Sequence, residues 1–442
     1  MVINQLKMIQ LQKSAPLISK VLREQVYDSL EEYRWASYVC KISLSEGILA
    51  YNVLTKELLL IKDIDNDKEQ LVKKWFLVVS SFNEKEFIQR VKTLLSIIPN
   101  ASGGIDNYTI FTTTDCNAKC YYCFEKDSPK VRMNDEIVTQ TVQFIKHNYS
   151  GKEILIQWFG GEPLFNIKVI DRISECLNSN NISFNSSMTS NGYLFNEKII
   201  KRAVEKWHLK NVQITLDGTK DNYNRIKSYI HKDSNPFERV LRNIENLLNY
   251  SIYVTIRLNL SLDNSNDMII LLKQLIERFK GSKFLIIYPH PLFELIVDDD
   301  SRKEVFEKLM YIQKIIDDNH FSQDYVCFKK PRLTHCKADN NGNSVVIFPD
   351  GNIGLCDHKF GNDYIGHVSN YNIDHNMVKS WKKYKEPMQK CSTCLIFPDC
   401  MKLELCDTNN NCYNEFIEID THILKQTMIK LYKNTVKNET EI

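Results

Sequence analysis

Strand-like and helix-like patterns alternate through the middle of this 442-residue chain. Runs rich in apolar and β-branched residues predict six strands, Tyr108–Thr113, Lys152–Phe159, Ile182–Thr189, Asn211–Leu216, Ile252–Leu260 and Lys283–Tyr288. Apolar residues spaced three and four apart predict helices between them, among which are Asn134–Asn148, Asn196–Trp207, Pro236–Asn249 and Asn266–Phe279. Strands that alternate with helices predict parallel βα units. Residues 105–320 are therefore predicted to form an α/β fold, a partial TIM-like barrel of six units rather than eight.

Residues 1–100 show a different pattern, which predicts a separate small α+β domain. Three short strands are predicted, Ser37–Leu44, Gly47–Leu54 and Glu57–Ile61, followed by helices at Asp67–Val78 and Asn83–Leu95. Small strands with helices suit a winged-helix fold, whose sheet can present an open edge to an extended peptide. A domain that only stabilises the barrel is the alternative. Pro99 to Gly104 is predicted to be the linker.

Three cysteines follow the first barrel strand with the spacing C-x3-C-x2-C. They are Cys116, Cys120 and Cys123, and Tyr122 directly precedes the last of them. The loop lies at the C-terminal end of a strand, where α/β barrels place their chemistry. Thiolates favour iron–sulfur clusters or zinc. Three thiolates on a four-iron cluster leave one iron free to bind a substrate or cofactor, whereas a zinc knuckle or three buried cysteines is the alternative reading.

Bulk composition narrows the class of protein. Hydrophobic residues make up 43% and charged residues 25%, as in ordinary soluble globular proteins. A net charge of +2 gives no large basic field for nucleic acid. The N-terminus lacks a continuous apolar segment, and no stretch is long enough to span a bilayer, so a cytoplasmic location without membrane partners is expected. Thirteen cysteines in such a chain argue against a disulfide scaffold and for metal chemistry.

The cysteine spacing, with an aromatic residue before the last cysteine, resembles the radical S-adenosylmethionine (SAM) superfamily. The resemblance implies that the open iron chelates the amino and carboxylate groups of SAM. It also implies that the reduced cluster donates an electron, which cleaves SAM into methionine and a 5′-deoxyadenosyl radical that abstracts hydrogen from the substrate. A low-potential donor of the ferredoxin or flavodoxin type is the expected source of that electron.

Polar segments follow other predicted strands at the same end as the cysteines. In the segment Gly160-Gly161-Glu162-Pro163, the glycines allow close backbone approach and Glu162 can accept from an ammonium group. Thr189 to Gly192 and Gln213 to Gly218 end the next two strands and resemble further family segments. Each segment alone could be an ordinary turn, but their order on successive strands supports the barrel assignment.

The resemblance implies a set of cofactor contacts. Arg225 corresponds to an arginine expected on the SAM carboxylate, where a bidentate pair is the natural geometry. Arg257 and Asn259 alternate on the fifth strand and should both face inward. The full predicted set is Tyr122, Gly160, Gly161, Glu162, Pro163, Ser190, Asn191, Gln213, Thr215, Asp217, Arg225, Arg257 and Asn259. A solvated helix residue is the alternative for Arg225.

The cysteine-rich segment 321–415 resembles the SPASM domain, an auxiliary-cluster extension of radical enzymes that modify peptides and proteins. The resemblance implies two further [4Fe-4S] clusters, three in all. Cys336, Cys356 and Cys406 would hold the first, with Cys327 as the candidate fourth ligand. Cys391, Cys394, Cys400 and Cys412 would hold the second. Cys400 and Cys406 are separated by five residues where the family has three, and one or two zinc sites are the alternative.

Other features complete the prediction. Cys40 and Cys176 fit neither cluster and are expected to be small buried residues. Residues 416–442 are predicted to be a terminal helix, Phe416–Tyr432, and a polar tail. Asp357 follows Cys356 and is the candidate catalytic base, because a carboxylate beside an auxiliary cluster could accept a substrate proton. Sulfatase-maturing relatives have an aspartate at the matching place, and an exposed turn residue is the alternative.

Two enzyme functions follow from the resemblance. The first is a peptide maturase that installs a thioether or carbon–carbon crosslink in a ribosomally made precursor, whose leader would bind residues 1–100. The second is a sulfatase-type maturase that forms formylglycine. The long N-terminal segment favours the first and Asp357 favours the second. A zinc-bound, non-catalytic adaptor would not explain the segment from Gly160 to Pro163.

Overall fold

The protein is described by a computed structural model. It describes residues 8–13, 21–97, 104–232, 235–292, 299–321, 337–339, 342–381, 383, 386, 388–400, 404–405 and 417–440. These residues divide into two compact units, which consist of the described parts of 1–99 with 381–442, and of 100–323 with 337–380. The described parts of the predicted auxiliary-cluster segment therefore fall in both units. Within these ranges, no helix has the length and apolar character needed to cross a membrane.

The smaller unit contains a four-stranded antiparallel sheet in the order β1-β5-β4-β3. Its strands are β1 (Met8–Gln12), β3 (Val39–Leu44), β4 (Gly47–Asn52) and β5 (Glu57–Ile61). A separate pair joins β2 (Tyr33–Trp35) to β6 (Leu77–Val79), and the helices are α1 (Ile64–Lys73) and α2 (Glu84–Ile97). The three predicted strands are confirmed as β3, β4 and β5, whereas β1, β2 and β6 were not predicted. The winged-helix assignment stays a prediction.

The helix predicted over Asp67–Val78 is wrong at its C-terminal end. Helix α1 ends at Lys73, and Leu77–Val79 is strand β6. Trp75 adopts a left-handed backbone (φ 64°), which ends the helix, and its indole stacks on Phe87 at a centroid distance of 4.3 Å. Leu77 and Val78 are buried in the core that they reach as a strand. Tertiary burial therefore overrides the local helix pattern.

Residues far along the chain complete the hydrophobic core of the smaller unit. Phe397 and, from the terminal helix Ile417–Thr440, Leu424 and Met428 are buried in one cluster with side chains of β3, β4, β5 and α1. The predicted terminal helix is confirmed, and it extends beyond Tyr432 to Thr440. This core is therefore built from both ends of the chain.

The larger unit is built on six parallel strands that neighbour one another in chain order. They are β7 (Asn107–Thr113), β8 (Ile154–Gly160), β9 (Phe184–Ser190), β10 (Leu209–Leu216), β11 (Tyr253–Leu260) and β12 (Leu285–Pro291). The helices are α3 (Asp135–His147), α4 (Ile167–Ser179), α5 (Glu197–Glu205), α6 (Lys220–Lys227), α7 (Pro236–Asn249), α8 (Ser265–Arg278), α9 (Asp299–Asp318) and α10 (His375–Trp381). The predicted parallel α/β sheet with intervening helices is confirmed.

Each barrel strand presents two different faces. On β9, the alternate residues Phe184, Ser186, Met188 and Ser190 are buried, and those between them are half-buried. On β10 and β11, Ile214 and Ile256 are fully buried on the outer face. The half-buried face is polar, because it carries residues such as Gln213 and Arg257. Strand alternation therefore gives the barrel an apolar outer layer and a polar interior.

Three short strands extend the barrel sheet beyond β7. Strand β13 (Ser344–Ile347) pairs in parallel with β7, and β14 (Asn352–Gly354) and β15 (Gly366–His367) follow in antiparallel order. Gly351 makes the turn before β14 with φ 87°, and a Cβ there would lie 2.6 Å from the His367 ring. This hairpin brings the segment that carries Cys356 and Asp357 back to the barrel.

Candidate functional site

The cysteine loop leaves the C-terminal end of β7 and is anchored by polar contacts. Asp115 N donates to Thr113 Oγ1 at 2.9 Å, and the Asp115 carboxylate pairs with Arg132 at 2.7 Å. Lys119 N donates to the Lys227 carbonyl at 2.8 Å. The three thiols, Cys116, Cys120 and Cys123, are half-buried. The loop therefore holds three partly accessible thiols at the barrel end where the sequence predicted them.

The three thiols influence one another electrostatically. Burial, with contributions from the charges of Glu162 and Cys120, raises the pKa of Cys116 to about 12. Burial also raises the pKa of Cys123, with a contribution from Cys120. In the described ranges, no three Cys, His, Asp or Glu side chains converge on one metal ion. In a four-iron cluster each thiolate binds a different iron, so the three thiols need not converge on one metal ion.

The Gly-Gly turn after β8 closes tightly against the cysteine loop. Gly160 has φ 114°, and a Cβ there would lie 2.1 Å from the Thr113 carbonyl. A Cβ on Gly161 would lie 2.4 Å from the Asp115 carbonyl oxygen. Gly161 N donates to Thr113 O and Glu162 N donates to Asp115 O, both at 3.0 Å. Both glycines are needed for this approach, which directs Glu162 inward.

Glu162 is fully buried and accepts several hydrogen bonds. Its carboxylate accepts from Asn191 N at 2.8 Å and from Ser190 Oγ at 3.0 Å, and also from Leu164 N. Burial raises its pKa to about 7 in spite of these bonds. No described lysine or arginine lies within ion-pair distance of Glu162. An ammonium group of a ligand would supply the missing counter-charge, so the site fits the amino group of SAM.

Asn191 connects this carboxylate to the cysteine loop. Its side-chain amide donates to Asn117 Oδ1 at 2.7 Å and lies 3.9 Å from Cys116 Sγ. The Asn117 side-chain nitrogen is buried and has no hydrogen-bond partner. Glu162, Ser190 and Asn191 are therefore brought together beside Cys116, as the sequence predicted, and they leave an unused donor at that position.

A second buried polar group surrounds Asp217. Tyr122 Oη donates to Asp217 Oδ1 at 2.6 Å, and Asn259 Nδ2 donates to the same oxygen at 3.0 Å. Lys227 Nζ pairs with Asp217 Oδ2 at 3.0 Å and donates to Thr215 Oγ1 at 2.6 Å. The Asn259 side-chain oxygen is buried without a partner. Four predicted contact residues therefore meet around a lysine that was not predicted.

Lys227, rather than Arg225, is the cation that α6 directs into the site. Burial lowers the pKa of Lys227, but the charges of Asp217 and Cys120 outweigh burial and raise it well above its ordinary value. Arg225 is exposed and donates to Asn222. Lys227 lies four residues after the buried Tyr223, which places both on one face of the helix. That spacing was the signal available in the sequence.

A third polar group lies along the interior of the barrel strands. Tyr288 Oη donates to Gln213 Oε1 at 3.0 Å, and an Arg257 nitrogen lies 2.9 Å from His290 Nδ1. On the other side, Lys337 donates to Gln157 and, at 3.2 Å, to Thr109. The predicted residues Gln213 and Arg257 therefore belong to a different group from Glu162 and Asp217.

Asp357 follows β14 and is electrostatically coupled to the cysteine loop. Its charge contributes to raising the pKa of Glu125, although burial is the main cause and brings that pKa to about 7. Desolvation lowers the pKa of Lys337, which the charge of Asp357 partly offsets. The Glu125 Oε1 atom is buried without a hydrogen-bond partner. Glu125 and Lys337 are site residues that were not predicted, and each adjoins a cysteine motif.

Of the predicted auxiliary ligands with described positions, Cys356 lies in the larger unit and the other three lie in the smaller unit. Cys391, Cys394 and Cys400 are half-buried on a compact turn, in which Cys400 N donates to the Ile396 carbonyl at 2.9 Å. Lys92 Nζ donates to the carbonyls of Phe397 and Cys400. Four predicted ligands lie outside the described residues: Cys327, Cys336, Cys406 and Cys412. The arrangement of both auxiliary sites stays a prediction.

Cys40 and Cys176 lie apart from these sites. Cys40 is buried on β3, and burial raises its pKa to about 11. Cys176 is half-buried on α4. The expectation of a buried thiol is confirmed for Cys40, whereas Cys176 retains partial exposure.

Comparison with known sequences gives matches to the central part of the chain. Residues 110–276 match the model of the Radical SAM superfamily. The radical SAM cyclopropyl synthase TigE of Paramaledivibacter caminithermalis is 25% identical over 231 residues, which are 47% of this chain and 47% of that protein. A GTP 3′,8-cyclase of Clostridium perfringens is 30% identical over 168 residues, 38% of this chain and 50% of that protein. The chain thus spans about half the length of these curated relatives.

Solved structures share the fold over more of the chain. The anSMEcpe structure with bound AdoMet covers 75% of this chain and 96% of its own, with 18% identity and a TM-score of 0.55. The Streptococcus suis SuiB structure bound to S-adenosylmethionine covers 85% and 94%, with 12% identity and a TM-score of 0.50. The parallel sheet, the three-cysteine loop at its end and the family match agree. Residues 110–276 are a radical SAM domain, the class of domain that uses SAM and a [4Fe-4S] cluster.

Proposed function

We propose that this protein is a radical SAM peptide maturase, which installs a thioether or carbon–carbon crosslink in a ribosomally made precursor peptide. The main observation in favour of this enzyme class is the buried Glu162 carboxylate beside the Cys116 loop. It has no cationic partner among the described residues. Further support comes from relatives whose names describe peptide or SAM chemistry. A solved anSMEcpe structure contains both AdoMet and a peptide, with a TM-score of 0.54.

The residues of this chain would divide the work of holding SAM. Glu162 would accept from its ammonium group, and Lys227 would face its carboxylate in the role predicted for Arg225. Cys116, Cys120 and Cys123 would ligate the cluster. When bound, the cluster supplies the electron that cleaves SAM to methionine and the 5′-deoxyadenosyl radical. The amino-acid end of SAM would thus lie between two opposite charges that the protein holds in place before binding.

The C-terminal cysteines would hold two auxiliary [4Fe-4S] clusters, as the SPASM resemblance implies. Cys356 lies on the barrel unit, while Cys391, Cys394 and Cys400 lie on the smaller unit. These clusters would take up an electron from the substrate after hydrogen abstraction. A flavodoxin- or ferredoxin-type donor remains the proposed source for the first reduction.

The smaller sheet offers an edge for the leader of the precursor. Strand β3 ends the order β1-β5-β4-β3, and no described strand pairs with its outer edge. Lys41 and Ser43 on this strand are exposed. An extended leader would add there as a further strand through backbone hydrogen bonds. Tethering would raise the effective concentration of the core peptide at the barrel, so modest leader affinity would suffice.

The test of this function uses the full chain, because Phe397, Leu424 and Met428 complete the core of the N-terminal unit. Short reading frames beside the gene supply candidate precursors. The anaerobically reconstituted enzyme should form 5′-deoxyadenosine and crosslink one of them. Hydrogen exchange should show peptide-dependent protection of β3, with β1 as the internal control. If the enzyme processes a leaderless peptide as well as the full precursor, and β3 is not protected, residues 1–100 have only a structural role.

Formylglycine formation is the second candidate. Asp357 follows Cys356 and its charge acts on Glu125 beside the three-cysteine loop, so it would serve as the base that deprotonates a substrate. The enzyme would then convert the cysteine of a sulfatase-derived peptide to formylglycine, which mass spectrometry detects. Asp357→Asn should abolish this conversion while SAM cleavage continues. Crosslinking of a precursor by the same preparation, with the sulfatase peptide unchanged, would decide against this candidate.

A further inference from the structure

Arg257 has an unusual environment for an arginine in a barrel interior. It lies on β11, in register with Thr215 on one side and Tyr288 on the other. Its guanidinium contacts His290 Nδ1 at 2.9 Å, and its Nε is buried without a hydrogen-bond partner. Among the described residues, no carboxylate lies within ion-pair distance. By contrast, Arg278 on the outer helix α8 pairs with two carboxylates, those of Glu238 and Glu245.

His290 does not compensate the charge of Arg257. Desolvation in the barrel interior and the adjacent guanidinium lower the pKa of His290 to about 4. The imidazole is therefore neutral near pH 7 and accepts from Arg257 through Nδ1. A cation that is partly removed from water and paired only with a neutral group lacks the partner that buried charges normally have. The site is therefore prepared for an anion.

Among the described residues, Arg257 shares no hydrogen bond with the proposed SAM contacts, although its register partner Thr215 accepts from Lys227. Asn259, two residues further along β11, is the residue that joins Tyr122 and Asp217. Arg257 lies one step deeper along the strand, where the neighbouring bond is from Tyr288 to Gln213. Of the acidic groups near the proposed SAM site, Asp217 is already paired with Lys227, and Glu162 accepts hydrogen bonds from Ser190 and Asn191. Arg257 therefore faces the interior where a substrate would lie.

We propose that Arg257 binds a carboxylate of the substrate peptide, an Asp or Glu side chain near the residue that is modified. This rests on the proposed peptide-maturase function. The planar guanidinium presents parallel N–H groups that match the two oxygens of a carboxylate. Tyr288 and Gln213 are neutral hydrogen-bonding neighbours, and a single compensating charge therefore completes the site. The acidic side chain would fix the register of the core peptide relative to the radical.

Two small probes test this proposal on the anaerobically reconstituted, full-length enzyme. N-acetyl-glutamate N-methylamide carries the carboxylate, and N-acetyl-glutamine N-methylamide has the same shape without the charge. Calorimetric titration should show at least about tenfold tighter binding of the glutamate probe, as expected for one charge-assisted contact. Arg257→Gln should remove this difference, and Arg257→Lys should retain part of it. Arg242→Gln, on the exposed face of helix α7, is the matched control.

The same preparations distinguish the other uses of Arg257. SAM affinity should be unchanged in Arg257→Gln, and a parallel loss would make Arg257 a cofactor contact and overturn the proposal. Preferential binding of GTP over the glutamate probe would also overturn it and indicate a nucleotide substrate. Failure of the wild type to cleave SAM would refute the proposed function. In that case, the binding of the two probes would still show whether Arg257 binds a carboxylate.

A second measurement does not depend on a ligand. Arg257→Met removes a charge that lacks an acidic partner, so the melting temperature of the SAM-free protein should rise. A residue with a purely structural role would give a lower melting temperature when it is replaced. A decrease, together with equal binding of both probes by the wild type, would overturn the proposal.

Discussion

Two segments carry three described cysteines each, Cys116–Cys123 and Cys391–Cys400, and they are held in different ways. The first segment follows the C-terminal end of β7. It lies next to buried polar atoms that have no hydrogen-bond partner, such as the side-chain nitrogen of Asn117. The second is fastened to a hydrophobic core by two lysines. Lys56 pairs with Asp399 at 2.5 Å, and Lys92 Nζ donates to the carbonyls of Phe397 and Cys400.

This difference shows what distinguishes a ligand site from an anchored segment, namely whether its buried polar groups still have unused hydrogen-bonding capacity. Around the first segment, polar atoms remain available, because Asn259 Oδ1 and Glu125 Oε1 are also buried without partners. Around the second, the buried lysines already use their charge, Lys56 on the Asp399 carboxylate and Lys92 on two backbone carbonyls. The first arrangement suits an exchanging ligand such as SAM, and the second suits a permanently bound group.

The strongest test replaces each set of cysteines separately. If three four-iron clusters are present, about twelve irons should bind per chain. Changing Cys116, Cys120 and Cys123 to Ala should remove about four irons and abolish SAM cleavage. Changing Cys391, Cys394 and Cys400 to Ala should remove a similar amount but leave SAM cleavage to 5′-deoxyadenosine. Iron analysis and chromatography of the nucleoside product measure both effects.

If both variants lose SAM cleavage and the same amount of iron, the two cysteine segments do not differ in function. Zinc as the principal metal in protein purified without oxygen, with no visible iron–sulfur absorbance, would remove the cluster assignment itself. Cys176→Ala is the matched control, because this half-buried thiol on helix α4 lies outside both motifs.

The next effect concerns the anchor of the second segment. Lys56→Met removes the cation that pairs with the Asp399 carboxylate, which is 14% exposed. Breaking a buried pair by removing one member costs about 3–5 kcal/mol, so unfolding of the smaller unit should require correspondingly less denaturant. SAM affinity should be unaffected. Denaturant titration and SAM calorimetry on the same sample separate these effects.

Lys73→Met is the control for this experiment, because Lys73 pairs with Glu69 on the solvent-accessible side of helix α1. Such a pair contributes about 0.3–0.5 kcal/mol. A loss of stability in Lys56→Met no greater than that in the control would mean that the Cys391–Cys400 segment is held by its apolar contacts alone.

A smaller effect is expected at the cation of the first segment. Lys227→Met should weaken SAM binding by about 1.5–3 kcal/mol, the value of one charge-assisted hydrogen bond. Lys227→Arg should restore most of this affinity, which separates loss of charge from damage to the fold. Lys220→Met, at the exposed start of the same helix, is the control. If Arg225→Gln weakens binding instead, the original sequence prediction is correct and Lys227 is structural.

The smallest effect is a pH dependence of SAM affinity. Burial raises the pKa of Glu162 to about 7 from an ordinary value of 4.5, and a bound ammonium would favour the ionised form. Binding would then release a proton below pH 7, so SAM affinity should fall as the pH is lowered from about 7 to about 5. Above pH 7, Glu162 should contribute no further change. Calorimetry in buffers of different ionisation enthalpy measures the released proton.

The same shift has the opposite sign for folding without ligand. Between pH 4.5 and about 7, native Glu162 holds a proton that the unfolded chain has lost. The contribution of Glu162 to the free energy of unfolding should therefore decrease as the pH rises through this window. Glu162→Gln should remove this slope together with the pH dependence of SAM binding. An unchanged pH profile in that variant would assign the dependence to another group.

Local patterns in the sequence predicted the parts of the fold that depend on local spacing. The six barrel strands follow from short apolar runs, and the Gly160-Gly161 turn follows from a motif whose close approach requires glycine. The sequence did not predict Lys227 as a site residue, because a lysine on a short helix is normally expected to be exposed to solvent. Its burial depends on Asp217, the residue that directly follows the preceding strand β10. Such pairings arise from three-dimensional neighbours and leave little trace in local periodicity.

The same reason explains the other differences. Arg257 and Asn259 were correctly expected to share one face of a strand, but the sequence did not show that they join different polar groups. Lys337 directly follows the predicted ligand Cys336. Its contacts with Thr109 and Gln157 join distant parts of the chain, so no local pattern predicts them. Strand β6 has a local pattern that predicts helix, whereas its strand conformation depends on burial in the rest of the core.

The core that joins residues near both ends of the chain also sets an order for folding during synthesis. Each neighbouring pair of barrel strands is close in sequence, so the barrel can form as its βα units emerge. The N-terminal unit is made first but lacks Phe397, Leu424 and Met428 until more than 300 further residues have been added. Its apolar surface stays incompletely covered during that interval, and it is the part of the nascent protein that most needs protection from aggregation.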